Sequence, residues 1–550
     1  VTDHAVTAAP GSADPDASAW APLRIRVFRW LWIAGLVSNL GTYMHNVGAS
    51  WLVTELSRSP TVVALLQTVY AAPGFLFALI AGALADVVDR RKLLIGIQVV
   101  MLAAAAALGA LTLTDHATVL WLLSLTFVIS VGGTFNMPPW TSLTPEVVSR
   151  AELGPAVALN SVAGNIAQSV GPALAGVVIA AAGPGAVFVV NAVSFLAVVV
   201  VLASWRREPP LTSLPAEHIG AAVRSGARYL RNSPALLVGL ARLGAVVAFT
   251  SAVPALLPVL ARRRMGASAG QFGLLEASLG VGAVAMAVGL PKARAALGPD
   301  GVLLGGSLLA AAGMALAAGA TGVGMGCLGL AVMGAGQITA MTTIFADYTG
   351  ALPDWVRGRG LAVAMLVVWI VTSPFAVVWG AVATATSASS SILIAAVGLA
   401  ASAVVLAPVA RIGPMAGGDA TPVPTTLEVT AAAPCPDDGP VLVTVEWDVD
   451  PARVAEFAEA MRPIHRQRRR DGAIRWGLYE DVERPGRMLE SFEVASWAEH
   501  ERQHGRSTAG DAEHQAAARS MLLDGREPVV THLVAPRRHR DRRGLLLRRR

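Results

Sequence analysis

The sequence predicts an all-α membrane protein with twelve transmembrane helices in two six-helix halves, followed by a small soluble α+β domain. Three observations carry the prediction. The 550 residues are 54% hydrophobic and only 15% charged, with a mean hydropathy of +0.56, whereas soluble chains carry about a quarter charged residues. The apolar excess falls before about residue 410 in blocks of bilayer-spanning length. Beyond about residue 440 the hydrophobic period becomes that of an ordinary soluble fold.

The elements follow in chain order. Residues 1–22 are polar, rich in Ala, Asp and Ser, and lack the basic-then-apolar layout of a cleaved signal, so they read as a disordered tail and the first span as an uncleaved insertion signal. Apolar segments near 30–52, 61–83, 93–113, 117–138, 155–181 and 186–204 make a first half over 23–205. A polar central loop, 206–233, carries Arg224, Arg228 and Arg231 at helical spacing, suiting a short helix from Ile219 to Leu230 along a membrane surface. Segments near 235–260, 271–291, 301–320, 322–345, 361–384 and 389–409 make the second half over 234–412. The loops after spans four and ten echo each other, Pro145-Glu-Val-Val-Ser-Arg150 and Pro353-Asp-Trp-Val-Arg357, as expected of duplicated halves. Residues 413–440 form a Pro-, Ala-, Gly- and Thr-rich linker. From 441 to 535 the order reads strand (Val441 to Val449), helix (Pro451 to Arg469), strands (Ile474 to Val482, Met488 to Val494), a helical region (Ser496 to Leu522) and a last strand (Pro528 to Val534). That βαββαβ order is ferredoxin-like. Residues 536–550 are a basic tail.

Charge sets orientation and excludes partners. With the N-terminus inside, the inner loops hold 16 Lys and Arg against 4 in the outer ones, Arg58 and Arg262 to Arg264, so both termini are expected on the cytoplasmic side. The outward arginine triplet is an exception the sequence does not explain. The net charge of +6 and pI near 9.9 do not indicate nucleic acid, because the arginines sit beside spans or in the tail, where they suit anionic lipid. Cys327 and Cys435 have no metal or disulfide spacing.

The most informative stretch is Gly82-Ala-Leu-Ala-Asp86-Val-Val-Asp89-Arg90-Arg91-Lys92, two acids and three bases between the uncharged runs Val62 to Ala83 and Leu93 to Leu113. Polar residues inside the spans are costly and mark function or interhelical bonding. Asn39, Tyr43 and Asn46 in span one, Gln67 and Tyr70 in span two, Asn165 (with Asn160 and Gln168) in span five and Gln337 in the second half are the candidates to line a polar substrate cavity. His45 and Glu276 are the candidate proton carriers, since imidazole titrates near neutrality and burial raises a carboxyl. Arg242 and Asp347 are further charges within spans.

The charged stretch resembles the loop signature of the major facilitator superfamily at Gly82, Asp86, Asp89, Arg90 and Arg91. Gly41-Thr-Tyr-Met-His45, Trp51-Leu-Val-Thr54 and the run Pro353 to Gly358 resemble its enterobactin-exporter-like efflux subgroup. The resemblance implies a secondary transporter in a bacterial cytoplasmic membrane, exporting a drug- or siderophore-type molecule by alternating access with proton drive. It implies a gate in which Asp86 meets the start of span eleven near Gly360 and Arg90 bridges to Glu146. Two departures weaken the proton expectation: Leu120 to Pro138 carries no arginine, and the span-five antiporter motif survives only as Gly171-Pro172 and Gly176, with Gly164 upstream.

Residues 441–535 resemble an antibiotic-biosynthesis-monooxygenase domain, with Ser496-Trp-Ala-Glu-His500 through His504 as its second helix. That resemblance leaves open an enzyme oxidising an aromatic compound or binding haem through His500 or His504, or a silent module that forms homodimers. His500-Glu501-Arg502-Gln503-His504 also spells the zinc-protease pattern His-Glu-x-x-His. With no third ligand or cleft visible in sequence, the default is a solvated helix, and no catalytic residue, cofactor or metal is assigned. The expected partners are a small-molecule substrate and membrane lipid.

Overall fold

The protein is described here from a computed structural model, which defines residues 20–149, 151–205, 228–412, 434–435, 438–504 and 506–535. The expected N-terminal tail, most of the central loop and its surface helix, the linker and the basic tail fall outside the described residues.

Among the described residues the apolar region holds eleven helices: α1 (Arg26–Leu56), α2 (Pro60–Val87), α3 (Arg90–Leu113), α4 (Val119–Val147), α5 (Leu153–Ser204), α6 (Pro234–Thr250), α7 (Ala252–Arg263), α8 (Ala269–Gly319), α9 (Val323–Gly350), α10 (Asp354–Ala385) and α11 (Ala388–Val409). Nine continuous stretches among the described residues are long and apolar enough to cross a membrane, with α6 and α7 joined as one. The sequence segments 155–181 and 186–204 merge into the 52-residue α5, and 271–291 and 301–320 into the 51-residue α8. Each long helix breaks at one residue. Gly183 has φ 75° and Gly298 φ 66°, and each is followed by proline. A side chain disfavours that left-handed backbone, and the following proline removes a helical donor.

The chain divides into two compact units: residues 1–216, 243–343 and 365–409, and residues 217–242, 344–364 and 410–550. In the first, α5 packs on α1, α3 and α8, α4 on α2 and α3, and α11 on α8. Lipid is as apolar as the side chains, so close backbone approach rather than hydrophobic burial holds such helices together. Where α5 meets α8, a Cβ on Gly273 would lie 2.5 Å from the Pro172 carbonyl oxygen. Gly171-Pro172 and Gly176, the remnant of the span-five motif, thus form a helix-packing surface.

The arginine triplet Arg262 to Arg264, expected on the outer side, is accounted for in this unit. Arg262 reaches Glu55 at 3.4 Å and the Thr54 hydroxyl at 3.1 Å, and its guanidinium lies over Trp51. Arg263 donates to the Arg58 carbonyl at 2.5 Å, and Arg264 to the Ala320 carbonyl at 3.2 Å. These cations satisfy carbonyls at helix ends and a carboxylate, so local bonding outweighs the charge bias of the loops.

In the second unit, β1 (Val441–Asp448), α12 (Val454–Asp471), β2 (Arg475–Glu480), β3 (Arg487–Val494), α13 (Trp497–His504), α14 (Ala509–Arg519) and β4 (Val529–Val534) follow in order. The antiparallel sheet has the order β2-β3-β1-β4. The single helical region read from Ser496 to Leu522 is two helices, because Thr508 caps α14 in a reciprocal capping box with Asp511. The alternating β1 residues Val441, Val443, Val445 and Trp447 are buried against Phe457, Met461 and Ile464 of α12. Each such large side chain stabilises the fold by about 1.5–3 kcal/mol.

The ends of α6, α9 and α10 belong to this same unit. Arg228 pairs with Glu499 at 3.1 Å, Arg506 lies over the Trp355 ring at 4.4 Å, and Tyr229 meets Trp355 edge-on at 5.4 Å. The Tyr348 hydroxyl donates to the Gly360 carbonyl at 3.1 Å, closing the turn from α9 to α10.

Candidate functional site

The charged stretch forms the turn from α2 to α3. Asp89 caps α3, accepting from the Lys92 amide at 2.9 Å, which suits a carboxylate at the positive helix end. Arg91 donates to the carbonyls of Leu202 at 2.7 Å and Ala203 at 2.8 Å, in the last turn of α5. Arg90 pairs with Glu146 on α4 at 2.5 Å. A Cβ on Gly82 would meet nothing within 4 Å. The Asp86 side chain lies outside the described residues, and Gly360 belongs to the other unit.

A cavity of about 550 Å³ opens in the first unit between α1, α3, α4 and α5. Among its lining residues are Asn39, Gln98, Asn136, Trp140, Thr144 and Asn160. Of the residues expected to bind substrate, Asn39 and its span-five companion Asn160 line it. Gln98 is 2% exposed and donates to the Asn136 side-chain oxygen at 3.1 Å, while its own oxygen has no partner among the described residues. Asn160 donates to the Thr144 hydroxyl at 3.2 Å. Asn39, Gln98, Asn136 and Asn160 bring four side-chain amides, donors and acceptors together, to this one cavity. Gln98 lies within the helical Leu93 to Leu113 run and Asn136 in uncharged α4. A rule that uncharged span residues with two-sided hydrogen-bonding capacity mark cavities would have found both.

The other expected span residues lie elsewhere. Gln67 donates to the Pro254 carbonyl at 3.2 Å, tying α2 to α7, and the Tyr70 hydroxyl reaches the Asn46 carbonyl at 3.5 Å. Both read as interhelical bonds. Glu276 on α8 is within electrostatic reach of the Tyr70 phenol. His45 is 1% exposed, with Nε2 3.5 Å from the Thr126 hydroxyl and its ring 4.9 Å from that of Phe188. Tyr43 packs against α5, where a Cβ on Gly171 would lie 2.7 Å from its Cβ. Asn165 and Gln168 are exposed on α5, and Gln337 is half-buried on α9. Arg242 donates to the Ala410 carbonyl at 2.8 Å, and Asp347 is buried at 5% exposure.

A second cavity, about 520 Å³, lies in the sheet-bearing unit between the sheet, α12, α13 and α14. His500, His504 and His532 line it together with Arg468 and Gln503. Helix spacing brings His500 and His504 to one face of α13, with ring centroids 4.9 Å apart. His532 sits on β4 opposite Val443, on the sheet's buried face, with its ring 4.8 Å from that of His500. Burial, with the neighbouring imidazoles, pushes the His500 pKa down to about 4. Burial and the Arg468 charge push that of His504 to about 4, and burial also lowers His532. All three rings are therefore neutral at pH 7. His532 escaped the sequence reading because only strand pairing places it beside α13. Glu501 is exposed and accepts from the Trp497 indole at 2.9 Å, and it is not among the residues that line this cavity.

A polytopic helical bundle with a polar internal cavity and a charged turn between its second and third helices defines a membrane transporter. Residues 17–540 match the family model described as a transmembrane secretion effector, and the chain belongs to that family of major facilitator transporters. It is 29% identical over 212 residues to "Uncharacterized MFS-type transporter YfiS" of Bacillus subtilis, covering 37% of this chain and 49% of that protein. It is 28% identical to "Enterobactin exporter EntS" of Citrobacter koseri, over 46% of this chain and 61% of that protein. The Escherichia coli exporter of that name is 28% identical over 60% of this chain and 79% of its own length. The chain thus spans about half to three-fifths of the first two relatives. Among solved structures, the inward-facing bacterial homologue of the lysosomal transporter Spinster superposes with a TM-score of 0.59 at 14% identity, over 72% of this chain and 97% of its own. The nucleoside transporter NupG gives 0.58 at 12% identity, over 71% and 99%. At that identity the likeness establishes the fold alone.

Proposed function

We propose that this transporter exports a small organic molecule of drug or siderophore type across a bacterial cytoplasmic membrane, by alternating access of two six-helix halves. The observation that carries the reading is the cavity lined by the amides of Asn39, Gln98, Asn136 and Asn160, in a chain whose relatives include exporters of enterobactin. Counting α6 and α7 as one span and dividing α5 at Gly183 and α8 at Gly298 turns the eleven described helices into twelve segments, which supports the two-half architecture. The inner-loop arginine bias supports cytoplasmic termini. In this reading Asp86 and the pair Arg90–Glu146 form the inner gate, and Glu276, close to Tyr70, carries the coupling proton.

The test is a compound panel in everted vesicles, reading accumulation and collapse of an imposed proton gradient. Gln98→Leu should insert normally and lose accumulation of the identified compound at least tenfold. Parental accumulation in that variant would place substrate elsewhere. Asp86→Asn should abolish transport while leaving insertion intact. Flat pH dependence in Glu276→Gln beside a pH-sensitive parent would support proton coupling, and an unchanged profile would remove it.

For the C-terminal domain, the sheet order β2-β3-β1-β4 supports the ferredoxin-like, monooxygenase-type reading. The cavity around His500 and His504 favours ligand binding there. The exposed apolar pair Leu442 and Leu533, opposite each other on β1 and β4, supports a homodimer contact.

A further inference from the structure

We propose that His500, His504 and His532 form a three-histidine site for one divalent transition-metal ion of the zinc, nickel or copper class. One candidate ligand nitrogen from each ring lies within 4.8 Å of the others. On a tetrahedral ion bound at about 2.0–2.1 Å, such nitrogens stand about 3.4 Å apart. Side-chain rotation on the order of 1 Å closes that difference.

Three further observations favour an ion over simple packing. His500 is 2% exposed, yet its Nε2 has no hydrogen-bond partner among the described residues. Its Nδ1 stands 3.4 Å from the Gln503 side-chain oxygen. With the proton on Nδ1 donated to Gln503, the Nε2 lone pair is free for a ligand, the arrangement by which an outer partner orients a metal-binding histidine. All three rings also border one cavity of about 520 Å³, leaving a fourth coordination position for water or a small chelating molecule. Imidazole suits the late first-row ions, and a site with no thiolate does not select soft ones.

Arg468 is the cation nearest this reading, but its charge is already met. Its Nε donates to the fully buried Glu490 at 2.9 Å, and its guanidinium lies over Phe492. The surplus positive charge facing the ion is therefore small.

The experiment uses the full chain in detergent, purified without a polyhistidine tag, stripped with a chelator and titrated with Co²⁺ and Zn²⁺. The expected result is one Co²⁺ per chain with the visible absorption of a tetrahedral site, displaced by Zn²⁺. His504→Gln and His532→Gln should each weaken Co²⁺ binding at least roughly tenfold, since losing a direct ligand exceeds the loss of an outer partner. Glu501→Gln should bind like the parent. Melting temperature and protease resistance of each variant, measured without metal, establish that the domain stays folded. Substoichiometric binding in the parent, or equal binding in the parent and both histidine variants, would overturn the site and leave the three rings as packing around Trp497.

Discussion

Arg90 on α3 and Glu146 on α4 meet in a 2.5 Å ion pair across 56 positions of sequence. Asp89 and Arg91 on either side are spent on helix ends. The pair is thus the part of the charged turn that links two helices through side chains alone. A partly exposed pair near the end of a helix adds only about 1 kcal/mol to stability, so its effect is expected in transport rather than in folding.

Reversing either charge, Arg90→Glu or Glu146→Arg, should lower transport in everted vesicles at least tenfold at unchanged membrane yield. The double reversal should recover part of the loss, giving a non-zero coupling in a double-mutant cycle. Parental transport by both single variants would reduce the pair to a static brace.

Helix contact by glycine makes a sharper stability prediction. A Cβ on Gly282 of α8 would stand 1.8 Å from the Ala331 carbonyl oxygen on α9, whereas one on Gly289 would meet nothing within 4 Å. Gly282→Ala should therefore destabilise the detergent-solubilised chain by about 1–3 kcal/mol or more, read as a fall in melting temperature. Gly289→Ala should match or exceed the parent.

The Glu499 cluster should respond to acid. Burial alone would raise this carboxyl, but hydrogen bonding and charge from Arg506, with Arg228 and Arg502, hold it below its ordinary range. A carboxyl lowered on folding contributes fully above its unfolded value, and the contribution is lost as pH falls through the lower folded value, on the acid side of the ordinary glutamate range. Protease protection of the unit carrying Glu499 should accordingly persist at pH 7 and decline on acidification. Glu499→Gln should lower protection at pH 7 and flatten that dependence.

The core of the sheet-bearing unit holds a second buried carboxylate. Glu490 is fully buried and accepts from Arg468 at 2.9 Å and from the Trp476 indole at 3.1 Å. Arg468→Met should destabilise the unit by about 2–3 kcal/mol, the low end for breaking a buried pair, because Arg468 keeps some solvent. Adding Glu490→Leu should restore much of the loss in a thermal melt.

The sequence by itself determined the helical membrane region, the charged turn and the strand–helix alternation after residue 440. Those signals are local: runs of apolar residues set the span, and period-two burial sets each strand. Even the breaks at Gly183 and Gly298, where the backbone leaves the helical conformation, were legible as gaps between apolar segments. What a polar span residue does was not legible. Asn39 lines the cavity, Gln67 joins two helices and His45 is packed against Phe188, because the neighbour across the interface decides. Gln98 and His532 are the clearest cases. The first acquires its role from Asn136 on the next helix, and the second from a sheet register that sets β4 beside β1 and so beside α13. Hydrophobic periodicity is a property of the chain, whereas the meeting of two distant side chains exists only after tertiary packing.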